Sequence, residues 1–88
     1  MKAYALSLLM LAACQSEEFT ASDAITVANT WYAKQFRSAP DERLTVRTAD
    51  IGDQWRVIYA IPPDWAGGNT IVFVDKSSRK VVRYQFDQ

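Results

Sequence analysis

Residues 44–63 read LTVRTADIGDQWRVIYAIPP, and the period of this stretch decides the fold. Leu44, Val46 and Thr48 alternate with Thr45, Arg47 and Ala49, the two-residue repeat of a first strand. Gly52 and Asp53 supply a turn. Trp55, Val57, Tyr59 and Ile61 then alternate with Arg56, Ile58 and Ala60, a second strand with two fairly apolar faces. Pro62 and Pro63 end it, because proline has no N–H to give to a strand ladder.

Downstream, the pattern continues as strand. Residues 64–69 form a loop, DWAGGN, and residues 70–75 are rich in β-branched and aromatic side chains, as in a third strand. A polar turn, Lys76 to Lys80, leads to a last strand from Val81 to Phe86. In strict alternation Val82, Tyr84 and Phe86 share one of its faces, and Val81, Arg83 and Gln85 the other. Connections this short make each neighbouring pair antiparallel.

Upstream, the period is helical. Ala24, Ile25, Ala28, Trp31, Tyr32 and Phe36 recur at helical spacing and make one apolar stripe. Thr20 and Asp23 fit a capping box, and Phe19 with Ala24 fits a hydrophobic staple around it. Asp23 also suits the positive end of the helix dipole. Pro40 disfavours helical geometry at Ala39, so the helix is expected to end near Arg37 or Ser38. One helix followed by a four-stranded antiparallel meander is α+β, with the helix on one sheet face and the other partly exposed.

The N-terminus has a different character. Lys2 precedes an uncharged apolar run from Ala3 to Ala13, too short to span a bilayer core, which needs about 20 apolar residues. It has the anatomy of a secretory signal. Leu11-Ala12-Ala13-Cys14 resembles a bacterial lipobox, in which the cysteine is lipidated and becomes the new N-terminus. The competing reading, an amphipathic first helix with a buried thiol, lacks a charged face for water. Residues 1–13 are thus expected to be a lipoprotein signal peptide, 14–19 a tether and 20–88 a single domain. Because Gln15 and not Asp follows the cysteine, the resemblance implies the periplasmic leaflet of the outer membrane in a Gram-negative cell. The mature chain loses Lys2, keeps every acidic residue and becomes slightly acidic.

Composition restricts the chemistry. The 88 residues include ten basic and ten acidic side chains, one cysteine and no histidine. Zero net charge argues against nucleic-acid binding, which needs clustered excess Lys and Arg. A single cysteine makes no internal disulfide, and without histidine there is neither a His-Cys metal site nor an imidazole base. Ser77 and Ser78 lie between Lys76 and Lys80, but residues of this kind are ordinary in a solvated turn. The carboxylates Asp50, Asp53, Asp64, Asp75 and Asp87 are dispersed through turns and strand ends. No catalytic residue, metal or cofactor is expected, and the chain reads as a binder and not an enzyme.

Candidate contact residues are of two kinds. Asp64, Trp65 and Asn69 belong to a proline-started loop, where Trp65 is either an exposed interface anchor or a plug folded back on the sheet edge. Arg47, Arg56 and Arg83 each alternate against the main apolar set of their strand. If they share a face, they form a positive stripe suited to an acidic partner; the plainer reading is a solvated sheet face.

Together, the residues Asp23-Ala24-Ile25, Ala28 and Trp31, the strand Trp55-x-Val57-x-Tyr59-x-Ile61-Pro62, Gly67-Gly68, and the hairpin from Ile71-Val72-Phe73-Val74-Asp75 to Lys80-Val81-Val82 resemble small bacterial immunity proteins of the nuclear transport factor 2-like fold. The resemblance covers most of the mature chain through short motifs. Arg79 stands where that family has a hairpin glycine, which leads to the expectation of a different turn geometry, and the chain is short for the full cone-shaped fold. Val74-Asp75 and Lys80-Val81 also look like the ending of PepSY domains, which accompany protease propeptides and envelope proteins. The first resemblance implies a lipid-anchored inhibitor that occludes a toxin or effector enzyme. The second implies a modulator of an envelope protease or sensor, and a structural envelope lipoprotein is a further alternative. A neighbouring peptidase or histidine-kinase gene would favour the PepSY reading.

The address has a direct test. Cys14→Ser is expected to abolish lipid labelling and membrane fractionation; a variant that still fractionates with membranes overturns the lipobox reading.

Overall fold

A computed structural model of the protein describes residues 18–87. One helix, α1 (Ala21–Phe36), precedes four strands: β1 (Thr45–Asp50), β2 (Gln54–Ala60), β3 (Asn69–Asp75) and β4 (Val81–Asp87). The strands form one sheet in the order β1-β2-β3-β4, each pair antiparallel. The helix packs on one face, so the architecture is the α+β meander read from the sequence. The anticipated signal segment, Cys14 and the first part of the tether lie outside the described residues.

The helix begins as its sequence dictates. Thr20 Oγ1 accepts from the Asp23 backbone N–H at 3.3 Å, and the Asp23 carboxylate accepts from the Thr20 N–H at 2.9 Å. This reciprocal pair satisfies donors that the first turn leaves without helical partners. The Thr20 backbone N–H is also the first cause holding the Asp23 carboxyl below its ordinary pKa. Phe19, just ahead of the cap, packs against the core. At the other end the last helical residue is Phe36, and Arg37 takes the left-handed conformation, φ 58° and ψ 31°. A left-handed residue at this position is a common helix stop, normally filled by glycine because a Cβ is strained there.

The core is a thin layer between the helix and the two central strands. Ala24 and Ala28 are fully buried against Val57 and Tyr59 of β2 and Val72 and Val74 of β3. Register aligns these side chains in rows: Val46 with Tyr59, Thr48 with Val57, Val57 with Val72, and Trp55 with Val74. Tyr59 buries its ring yet satisfies its hydroxyl, which donates to Asn29 Oδ1 at 2.7 Å. Burial pushes that phenol well above its ordinary pKa. Trp55 Nε1 donates to the Phe19 carbonyl at 3.1 Å, fixing the chain ahead of the helix onto β2.

Two features differ from strict alternation. The register of β3 and β4 shifts between Phe73 and Val74, so that Val74 faces Val81 while Phe73 faces Arg83. This bulge turns Val81 onto the helix-facing core, correcting its expected place beside Arg83 and Gln85. Val82 is left exposed. The second difference is in the β3–β4 turn, where Arg79 itself has φ 59°. The backbone thus takes the left-handed geometry that glycine favours, with arginine bearing the strain.

Arg37→Gly is expected to raise stability by about 0.5–1 kcal/mol, because it relieves a left-handed Cβ at an exposed position. Chemical denaturation measures this; a destabilised variant would show that Arg37 makes an unrecognised stabilising contact.

Candidate interaction surface

The sheet face away from the helix is built by strand parity. Val57 and Tyr59 face the helix, so Arg56 and Ile58 face away. Register then carries this face across the sheet. Ala49, Arg56, Phe73 and Arg83 make one row, and Arg47, Ile58, Ile71 and Gln85 make the next. The three arginines singled out in the sequence therefore share one face, each on a different strand.

That face is apolar at its centre and basic around it. Phe73 is only 5% exposed, although among the described residues no second layer of secondary structure covers it. The Arg83 guanidinium lies 3.8 Å from the centre of its ring, and Arg83 NH1 also donates to Gln85 Oε1 at 3.2 Å. This is the stem-and-head behaviour of arginine, which covers hydrocarbon while its charge meets water. Arg56 Nε is shielded from solvent and has no hydrogen-bond acceptor. Arg47 is exposed on β1. The two central rows contain no carboxylate. Asp75 lies at an end of the same face, and the Ser78 backbone N–H is the first cause lowering its pKa, donating at 2.7 Å.

The loop between β2 and β3 is organised differently. Asp64 is exposed. Trp65 is half-buried, with the Arg43 guanidinium 4.7 Å from its ring centre. Arg43 is gripped by Asp41: Nε donates to Oδ1 at 3.0 Å and NH2 to Oδ2 at 2.9 Å. The Trp65 N–H donates to the Pro62 carbonyl at 3.0 Å. Trp65 thus folds back against the segment entering β1, with one ring face taken by a cation. Asn69 turns into the loop base, where its Oδ1 accepts from the Ile61 N–H at 3.1 Å. Its side chain braces the loop.

The loop and the arginines are not one cluster. Trp65 sits near the start of β1, and Arg47, two residues into that strand, is the arginine nearest that end. Arg56 and Arg83 lie in the Ala49 row, farther along. Arg43 escaped sequence reading because nothing in its spacing connects it to Trp65. Ile71 and Phe73 as the floor of the arginine face were accessible from alternation in β3, where apolar side chains occupy both faces.

In the last turn Lys76 and Ser78 have other engagements. Lys76 Nζ bonds Asp50 Oδ1 at 2.7 Å and lies 4.9 Å from the Trp55 ring centre. The Ser78 N–H caps Asp75. These contacts fasten the hairpin.

The Asp41–Arg43–Trp65 stack has a pH signature. The Arg43 guanidinium is the first cause lowering the Asp41 carboxyl from 3.8 to about 2. A carboxyl depressed in the folded state contributes its stability above its unfolded pKa and loses it as pH falls through the folded value. The Trp65 indole N–H resonance is expected to titrate with a midpoint near pH 2, and Asp41→Asn to remove that titration. An unchanged titration in the variant overturns the linkage between Asp41 and the ring.

No family model matches the chain, and comparison with curated proteins and with solved structures gives no match.

Proposed function

We propose that the protein is an envelope-anchored lipoprotein that binds and inhibits a toxin or effector enzyme, acting by occlusion. The observation that carries this reading is the shared face of Arg47, Arg56 and Arg83 over Ile58, Ile71 and Phe73. An apolar floor with a basic surround suits a protein partner that brings carboxylates to the rim and apolar groups to the centre. Such a partner surface occurs where an enzyme's active-site cleft is acidic, and a sheet laid across it blocks substrate without any chemistry of its own.

Arg56 strengthens the argument. A buried guanidinium N–H without an acceptor costs about 1–3 kcal/mol. A partner carboxylate that draws the Arg56 side chain outward removes that cost only in the complex, so part of the affinity is held in the free protein. Asp64 at the loop tip and the exposed edge of Trp65 are secondary contacts. The lipobox-like Leu11-Ala12-Ala13-Cys14 supports the membrane location, where a secreted toxin would be intercepted.

Expression beside a co-encoded toxin tests this. The wild-type chain is expected to rescue growth and to bind the toxin with an affinity that falls as salt rises. Arg47→Glu with Arg56→Glu should weaken binding at least about thirtyfold, with far-UV circular dichroism verifying that the variant is folded. Rescue that survives both reversals overturns the arginine face as the contact. Failure of the wild-type chain to rescue, with no effector captured, overturns the inhibitory function.

A further inference from the structure

The two edges of the sheet are unlike. On β1, the helix-side residues Val46 and Thr48 are half-buried, and the strand ends at Asp50, which is paired with Lys76. On β4, Val82, Tyr84 and Phe86 are 52%, 41% and 58% exposed. Phe36 at the end of α1 adds another ring, 6.2 Å from Phe86, and Tyr84 and Phe86 stand 5.7 Å apart. A seven-residue edge without proline, flanked by exposed aromatic rings, is a template for another strand.

The bulge selects where that strand can add. It disrupts the ladder at Val81 and Val82 and leaves Arg83–Asp87 as the regular stretch, centred on Gln85. The sequence of this stretch is complementary to itself. Antiparallel pairing about a two-fold axis through Gln85 sets Arg83 opposite Asp87 of the partner subunit, twice, and Tyr84 opposite Phe86 of the partner subunit, twice. Directly opposed residues share a sheet face, so both charge pairs form on the arginine side and both aromatic pairs on the helix side. Asp87 has no ion pair among the described residues in the single chain. Moving the axis to Tyr84 sets Arg83 against Gln85, loses both charge pairs and draws the bulge into the ladder.

We infer that two copies of the chain associate through β4 into one continuous eight-stranded sheet with Gln85 on the two-fold axis. Both helices then lie on one side, with the rings of Phe36, Tyr84 and Phe86 from the two copies gathered at the seam. The arginine faces join on the other side, doubling the surface offered to an acidic partner. This assembly stands independently of what that partner is.

Sedimentation equilibrium of the mature chain in detergent tests it, with far-UV circular dichroism verifying the fold of each variant. The wild-type protein is expected to dimerise in a concentration-dependent manner. Arg83→Asp and Asp87→Arg should each weaken the dimer about tenfold, because each turns two attractions into two repulsions, and the double variant should recover to near wild type. A wild-type chain that stays monomeric at all concentrations overturns the inference. Single reversals without effect, or a double variant as weak as either single one, overturn the Gln85 register. As a readout that does not depend on charge, Gln85→Cys in a Cys14→Ser chain should cross-link between subunits on mild oxidation, and a failure to cross-link counts against the axis.

Discussion

Ala24 and Ala28, pressed without exposure onto Val57, Tyr59, Val72 and Val74, fix the distance between the helix and the sheet. Two alanines at this contact bring the backbone of α1 close to β2 and β3, and the consequences follow from size. A helix with its side chains is about 10 Å across, and strands lie about 4.8 Å apart. One helix therefore covers about two strands. The fully buried side chains of the sheet all belong to β2 and β3, while β1 and β4 contribute residues that are half-buried or exposed. The polar groups drawn into this layer are matched, as the Tyr59 hydroxyl is by Asn29 and the Trp55 indole by the Phe19 carbonyl.

The same size limit means that, among the described residues, no second layer covers the other sheet face. Its apolar side chains are managed within the sheet, by long side chains from neighbouring strands. Arg83 lying over Phe73 is the clearest case. Phe73 beneath Arg83 is hydrocarbon that meets water through a charged head. Arg43 does the same for Trp65 at the loop, with the difference that Asp41 already holds its guanidinium. That loop is therefore preorganised, which lowers the entropy lost if it joins an interface.

Much of this was legible in the amino-acid sequence, for identifiable physical reasons. The capping box is a four-residue signal, so Thr20 and Asp23 marked the helix start. Alternation carries across a meander, so the shared face of Arg47, Arg56 and Arg83 followed once the strands paired in order. The bulge was not legible: one extra residue between Val81 and Arg83 leaves no mark in composition, and it moved Val81 to the core. The left-handed Arg37 and Arg79 were hidden because arginine is a poor predictor of positive φ. The inward turn of Asn69 and the Arg43 stack depend on loop closure, which brings together residues whose separation has no fixed period.

The bulge and the exposed edge bear on each other. A bulge at a sheet edge twists the strand and discourages indiscriminate pairing. Here it lies at the beginning of β4 and spares the end, where the rings of Tyr84 and Phe86 stand exposed. Protection against open-ended strand addition would act best if it extended along the whole strand, as charges or a proline would. Confined to two residues, it instead limits which register a strand can take. The five residues beyond it carry one positive charge at one end and one negative charge at the other, a pattern that matches its own reverse. An antiparallel copy satisfies both charges, whereas a parallel strand of the same sequence would oppose like charges at each end. Edge geometry and charge order thus favour one closed pairing over an open series, and closure is what separates a dimer from a fibre.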